Sequence, residues 1–184
     1  EQIMNRLIQG DVGSGKTIVA VLTAAIVIAE EKQVALMAPT EILAEQHFES
    51  IKEYCDKVNI TCGLITSNIP QKEKNIILNE LASGEIQFII GTHSLIQNPV
   101  NFNDLGLIII DEQHRFGVEH RKLLIEKGTS PQVLSMTATP IPRTLSITIH
   151  GDMDISIIDE LPKNRLPIKT SLIQPNEIES TYHF

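Results

Sequence analysis

Gly10-Asp11-Val12-Gly13-Ser14-Gly15-Lys16-Thr17 fits G-x-x-x-x-G-K-[ST], the pattern of a loop that cradles phosphates. The context fits too. Arg6-Leu7-Ile8-Gln9 precedes it and can form a buried strand, and the apolar stretch from Ile18 to Ala29 follows and can form a helix. Backbone N–H groups along Gly10 to Thr17 can then surround an anion, with the positive end of the helix behind them. In this arrangement Lys16 reaches the β- and γ-phosphates of a nucleotide and the Thr17 hydroxyl holds Mg²⁺. The competing reading is a flexible glycine turn ahead of a helix.

Along the rest of the chain, strand-like and helix-like segments alternate. The expected strands are Leu7–Gln9, Val34–Ala38, Thr61–Ile65, Gln87–Ile90, Leu107–Ile110, Val133–Met136 and Ile155–Ile158. The expected helices are Lys16–Glu31, Ile42–Tyr54, Gln71–Ser83, Glu119–Lys127 and Arg143–Ile149. Pro70 and Gly84 punctuate the third helix, and Thr40 is placed to cap the second. Such alternation predicts an α/β domain: a mostly parallel central sheet flanked by helices. Residues 1–160 form that domain in this reading. Residues 161–184, opening on a segment with Pro162 and Pro167, form a linker, the start of a further lobe or a C-terminal extension.

Open sheets of this kind bind ligands at the carboxyl ends of their strands. Asp111-Glu112-Gln113-His114 follows the apolar run Leu107–Ile110, so two carboxylates emerge from a buried strand, expected to be a neighbour of the strand that leads into residues 10–17. Asp111 can hold the Mg²⁺ shell through water, and Glu112 is placed to activate a water attacking the γ-phosphate. Standing alone, the two acids read as a solvated loop and His114 as a loop histidine satisfied by its neighbours. Pro39 and Thr40, Thr92 and His93, and Thr137 and Thr139 follow three other strands. Their simpler readings are helix caps and turns.

Composition narrows the class. Of 184 residues 42% are hydrophobic but only 4% aromatic, with no Trp, which suits an aliphatic parallel-sheet core. No apolar run reaches the roughly 18–20 residues of a membrane span, and no signal peptide is visible. The chain opens as if in mid-sequence and is expected to be a piece of a longer protein, without membrane association and cytoplasmic. Cys55 and Cys62 are too few for a disulfide framework or metal cluster and read as thiols in a reducing compartment. The net charge of −8 is unusual for a nucleic-acid binder. Either nucleic acid is not the partner, or a small part of the surface makes the contacts, or the basic surface lies elsewhere in a longer protein.

Taken in order, GDVGSGKT (10–17), APTEILAEQH (38–47), GTHSLI (91–96), DEQHRFG (111–117) and TATPIPRT (137–144) resemble motifs I, Ia, Ib/Ic, II and III of superfamily 2 helicases. Longer stretches, among them LIIIDEQHRFGVEHR (107–121), SMTATPIPRTL (135–145) and GDMDISIIDELPKNR (151–165), are similar to the bacterial RecG family of ATP-dependent DNA helicases. The transcription-repair coupling translocases share some of these stretches but tend toward GDVGFGKT and DEEH. Ser14 and Gln113 here favour the RecG family.

The resemblance implies a RecA-like P-loop NTPase lobe, the first motor lobe of a helicase acting on branched DNA in repair and recombination. It implies Mg-ATP as cofactor, bound by residues 10–17 with Gln113. Lys16, Asp111, Glu112 and His114 would be catalytic, with Gln113 and His114 sensing the γ-phosphate. Pro39, Thr40, Thr92, His93, Thr137, Thr139 and Arg143 would touch DNA or couple hydrolysis to it. The implied partners are DNA, a second RecA-like lobe and an N-terminal wedge domain of the same protein, in a nucleoid-associated setting. Two other classes stay open: a nucleotide-gated binding module without productive hydrolysis, and a small-molecule kinase.

Overall fold

The computed structural model describes residues 3–139 and 153–160, and beyond them residues 170, 172–174, 178 and 182. The expected helix Arg143–Ile149 and the proline-bearing segment 161–167 lie outside the described residues.

Seven strands form one sheet: β1 (Asn5–Gly10), β2 (Gln33–Met37), β3 (Cys62–Ile65), β4 (Phe88–Gly91), β5 (Leu105–Ile110), β6 (Gln132–Thr137) and β7 (Asp154–Ile158). Their spatial order is β3-β4-β2-β5-β6-β1-β7, and every neighbouring pair is parallel. Four helices accompany them among the described residues: α1 (Lys16–Ala29), α2 (Glu41–Lys57), α3 (Gln71–Ser83) and α4 (Val118–Ile125). Short 3-10 turns lie at His93–Ile96 and Gln113–Arg115, where the sequence reading named no strand or helix.

Strands β2, β4 and β5 are buried along their whole length, as all-parallel sheets require when both faces are covered. Alternate side chains divide between two cores. Ile8, Leu36, Ile90, Ile109 and Leu134 pack with α1 and α2 on one face. Met37, Ile89, Ile108, Ile110 and Val133 pack with α3 and α4 on the other. Because no strand runs against the others, every carboxyl end lies on one edge. That edge collects the loops after β1, β2, β4, β5 and β6.

One buried polar residue ties the frame together. Gln33 is 3% exposed. Its Nε2 donates to the carbonyls of Leu81 and Ile86 at 2.8 and 2.7 Å, and its Oε1 accepts the Asn103 and Asp104 amides at 2.7 and 3.1 Å. The end of α3 and the entry into β5 are thereby clamped to the start of β2. The two cysteines are free thiols, Cys55 buried and Cys62 partly so. The hydrogen bond between them holds Cys55 below the ordinary thiol range and, together with burial, pushes Cys62 up.

Candidate nucleotide site

The loop between β1 and α1 takes its shape from its glycines. Gly13 and Gly15 have φ of 78° and 94°, a region that costs other residues about 1–2 kcal/mol. At Gly10 a Cβ would fall 2.5 Å from Ser14 Oγ and 3.1 Å from Ile158 Cβ, so the loop folds tightly back on the strand end. Helix α1 opens at Gly15 with no side-chain cap and no acid in its first turn. Its leading amides are thus left without a side-chain acceptor, the condition for an anion site. Lys16 Nζ donates to the carbonyls of Gly10 and Asp11 at 2.8 and 2.9 Å. The cation is held over the loop that it would serve. The Asp11 carboxylate accepts the Val12 amide at 2.7 Å, and the Asp11 carbonyl accepts the Ser14 amide at 3.1 Å. Ser14 Oγ is buried with no hydrogen-bond partner among the described residues, an orphan that a phosphate oxygen would satisfy.

Asp111 and Glu112 leave the tip of β5. The sequence suggests that the P-loop strand and the acidic strand are neighbours; they are not. Strand β6 runs between them, pairing Gln9 of β1 with Thr137 and Ile110 of β5 with Ser135. Strand order follows tertiary pairing, which no local run of residues encodes: β6 takes the place between β5 and β1, and β1 pairs with β6 on one side and with the edge strand β7 on the other. The insertion brings Thr137 between the two halves. Thr137 is 2% exposed; its hydroxyl donates to Glu112 Oε2 at 3.3 Å and accepts the Thr139 amide at 3.1 Å. Glu112 itself has φ of 46°, a strained setting for a non-glycine residue and one that clusters at functional sites.

Asp111 is 8% exposed. Its Oδ1 accepts the Glu112 amide at 3.0 Å, and its Oδ2 lies 2.7 Å from Nε2 of His47 on α2. The sequence reading missed His47. The available signal was its place on the buried stripe of α2, between Ala44 and Ile51.

The remaining expected residues are placed less uniformly. Thr40 caps α2 by accepting the Leu43 amide, and stays exposed next to partly buried Pro39. Thr92 is buried and caps the following 3-10 turn through the Ser94 amide, while His93 is exposed. Thr139 is exposed. Gln113 is 5% exposed, with Nε2 directed at the Met153 sulfur at 3.6 Å and Oε1 without a hydrogen-bond partner among the described residues. Thr17 lines a cavity of about 330 Å³ shared with His47. The side chain of His114 and all of Arg143 lie outside the described residues. Glu41, at the start of α2, also went unread: its carboxylate accepts the Ser67 amide at 2.9 Å and the Asn68 side-chain amide, tying the loop after β3 to the loop after β2.

An uncapped helix start, a lysine over the loop and two acids across one intervening strand make this sheet edge the candidate nucleotide site. The DEAD/DEAH box helicase family profile matches residues 1–147, motifs I to III included. This chain belongs to the DEAD/DEAH box helicase family. The family uses nucleotide. The helicase chain is similar to proteins named ATP-dependent DNA helicase RecG from Streptococcus pneumoniae, at 56% identity over 95% of this chain and 26% of that protein, and from Bacillus subtilis, at 51% over 98% and 26%. It thus spans about a quarter of the length of these curated relatives. A solved structure of RecG bound to a three-way DNA junction superposes with a TM-score of 0.85, at 43% identity, over 100% of this chain and 24% of that one. The Hef helicase domain of Pyrococcus furiosus, at 23% identity and a TM-score of 0.64 over 85% of this chain and 35% of that one, shares the fold. No helix among the described residues is long and apolar enough to cross a membrane.

Proposed function

We propose that the chain is the first motor lobe of a RecG-type helicase that binds Mg-ATP and couples its hydrolysis to movement on branched DNA in repair and recombination. The observation that carries this reading is the Thr137–Glu112 contact, which joins motif III to the acid best placed to activate water.

The residues fit Mg-ATP. Among the described residues Ser14 Oγ lacks a partner and the start of α1 lacks a side-chain cap, and Thr17 and Asp111 supply the hard oxygen ligands that Mg²⁺ prefers. When bound, the metal would supply charge neutralisation at the β- and γ-phosphates. Lys16 would exchange its two loop carbonyls for phosphate oxygens. Asp111 would hold water of the metal shell. Glu112, oriented by Thr137, would accept the proton of the attacking water. Gln113 and His114 would sense the terminal phosphate.

DNA would lie along the same sheet edge, against Pro39, Thr40, His93 and Thr139, with Arg143 as a further contact. Thr92 and Thr137 would act from beneath by fixing the turns they cap. Contacts made by N–H and hydroxyl groups hold phosphate without reading sequence, which suits a translocating motor and fits a net charge of −8. A second RecA-like lobe and a wedge domain would complete the protein, with residues 161–184 leading onward from the 1–160 domain. The missing lobe would bring an arginine finger, a group worth about 10³–10⁵ in rate. This chain alone is therefore expected to bind nucleotide weakly, hydrolyse it very slowly and unwind nothing.

The test is ATP turnover by the full-length protein with forked, duplex and single-stranded DNA compared. Strongest stimulation by forked DNA supports the proposal. Stimulation by a small metabolite and not by DNA would point to a kinase, and single-turnover nucleotide binding without hydrolysis to a binding module.

A further inference from the structure

The 3.6-residue repeat of α2 puts Ala44, Ile51 and Cys55 into the core. His47 shares that stripe, three residues after Ala44 and four before Ile51. A histidine there costs desolvation unless its ring is partnered. The partner is Asp111, 64 residues away in sequence: Nε2 and Oδ2 are 2.7 Å apart, with the two side chains 14% and 12% exposed. A carboxylate only accepts, so the ring donates from Nε2. The other oxygen, Oδ1, takes the Glu112 amide at 3.0 Å. Each oxygen thus receives one N–H from a different element, one from α2 and one from the chain after β5. That leaves the carboxylate no free rotation, while each oxygen keeps a lone pair for water. The same imidazole lines a cavity of about 330 Å³ with Thr17, the other residue assigned to the metal.

We infer that His47 is a positioning residue of the motor site, holding the Asp111 carboxylate in the orientation that takes the water shell of Mg²⁺. The inference rests on the nucleotide reading proposed above. It also gives α2 a second role, because the helix capped by Thr40 at the DNA edge carries, two turns on, the group that orients the metal acid.

The test uses the full-length protein with His47→Gln, whose amide nitrogen reaches close to the Nε2 position, and His47→Asn, whose amide stops short. Binding of a fluorescent non-hydrolysable ATP analogue is titrated against Mg²⁺ and, separately, in a chelator, with thermal unfolding followed alongside. His47→Asn is expected to raise the half-maximal Mg²⁺ concentration about 10–100-fold and to leave the metal-free affinity unchanged. His47→Gln should stay close to wild type. An unchanged or lowered Mg²⁺ requirement in His47→Asn would overturn the inference, as would a parallel loss of metal-free binding, which marks a residue that merely packs α2. If His47→Asn does not fold, a lost Mg²⁺ response in folded His47→Gln overturns it, and a retained response supports it. Asp111→Asn separates the two levels. If it abolishes the Mg²⁺ response while His47→Asn does not, only the role of His47 fails; if it too leaves the response intact, the metal site itself is misassigned.

Discussion

Replacing Gln33 by leucine removes four hydrogen bonds at one stroke. The leucine fills the volume but leaves the carbonyls of Leu81 and Ile86 and the amides of Asn103 and Asp104 without their partner. The carbonyl bonds are buried and the amide bonds half-buried, so water can relieve only the second pair. At about 1 kcal/mol net for each bond, and more for the buried Ile86 carbonyl, since that of Leu81 keeps the Gly84 amide at 3.2 Å, Gln33→Leu should cost about 3–5 kcal/mol. That is a large part of the roughly 5–15 kcal/mol of a typical domain. Urea unfolding of this chain, followed by circular dichroism, measures it. The midpoint should fall while the slope stays the same, because the surface exposed on unfolding does not change. Gln71→Leu is the control: among the described residues the Gln71 side chain bonds Asn75 on the exposed surface of α3, and its loss should stay within about 0.5 kcal/mol. A Gln33→Leu cost under about 1 kcal/mol would show that the four polar groups find other partners, and would refute the clamp.

Four further substitutions probe the site. In the full-length protein Lys16→Ala should weaken nucleotide binding about 10–100-fold, the worth of a charge-assisted contact, whereas Glu112→Gln should leave binding intact and lower turnover by about 10²–10⁴; equal loss of binding in both contradicts the assigned roles. Gly15→Ala meets nothing closer than Ile18 Cγ2 at 3.6 Å, so its cost of about 1–2 kcal/mol should be conformational and visible in urea unfolding without nucleotide. Thr137→Val keeps the shape and loses the hydroxyl, and single-turnover kinetics should show slower hydrolysis at unchanged nucleotide affinity.

The strands were legible because burial on both faces leaves long apolar runs such as Leu107–Ile110, and the helices because their boundaries carry chemistry, as at Thr40 and Gly84. Strand order was not, since nothing local in Val133–Met136 says that β6 inserts between β1 and β5. The acids of Asp111-Glu112 could be found from their position after a strand. Their orientation could not, because it depends on His47 and Thr137, which reach them from other elements. Gln33 was hidden for the same reason: a polar residue at a strand start reads as solvated until its four backbone partners converge. The 3-10 turns at His93–Ile96 and Gln113–Arg115 carry too few residues to show a period.

The most direct measurement is a crystal structure of the protein with a non-hydrolysable ATP analogue and Mg²⁺. The terminal phosphates should sit in the loop of residues 10–17, with Lys16 Nζ moved from the Gly10 and Asp11 carbonyls onto phosphate oxygen and with Asp111 one water away from the metal. A triphosphate bound elsewhere, with Lys16 still on its own carbonyls, would contradict the motor reading at its root.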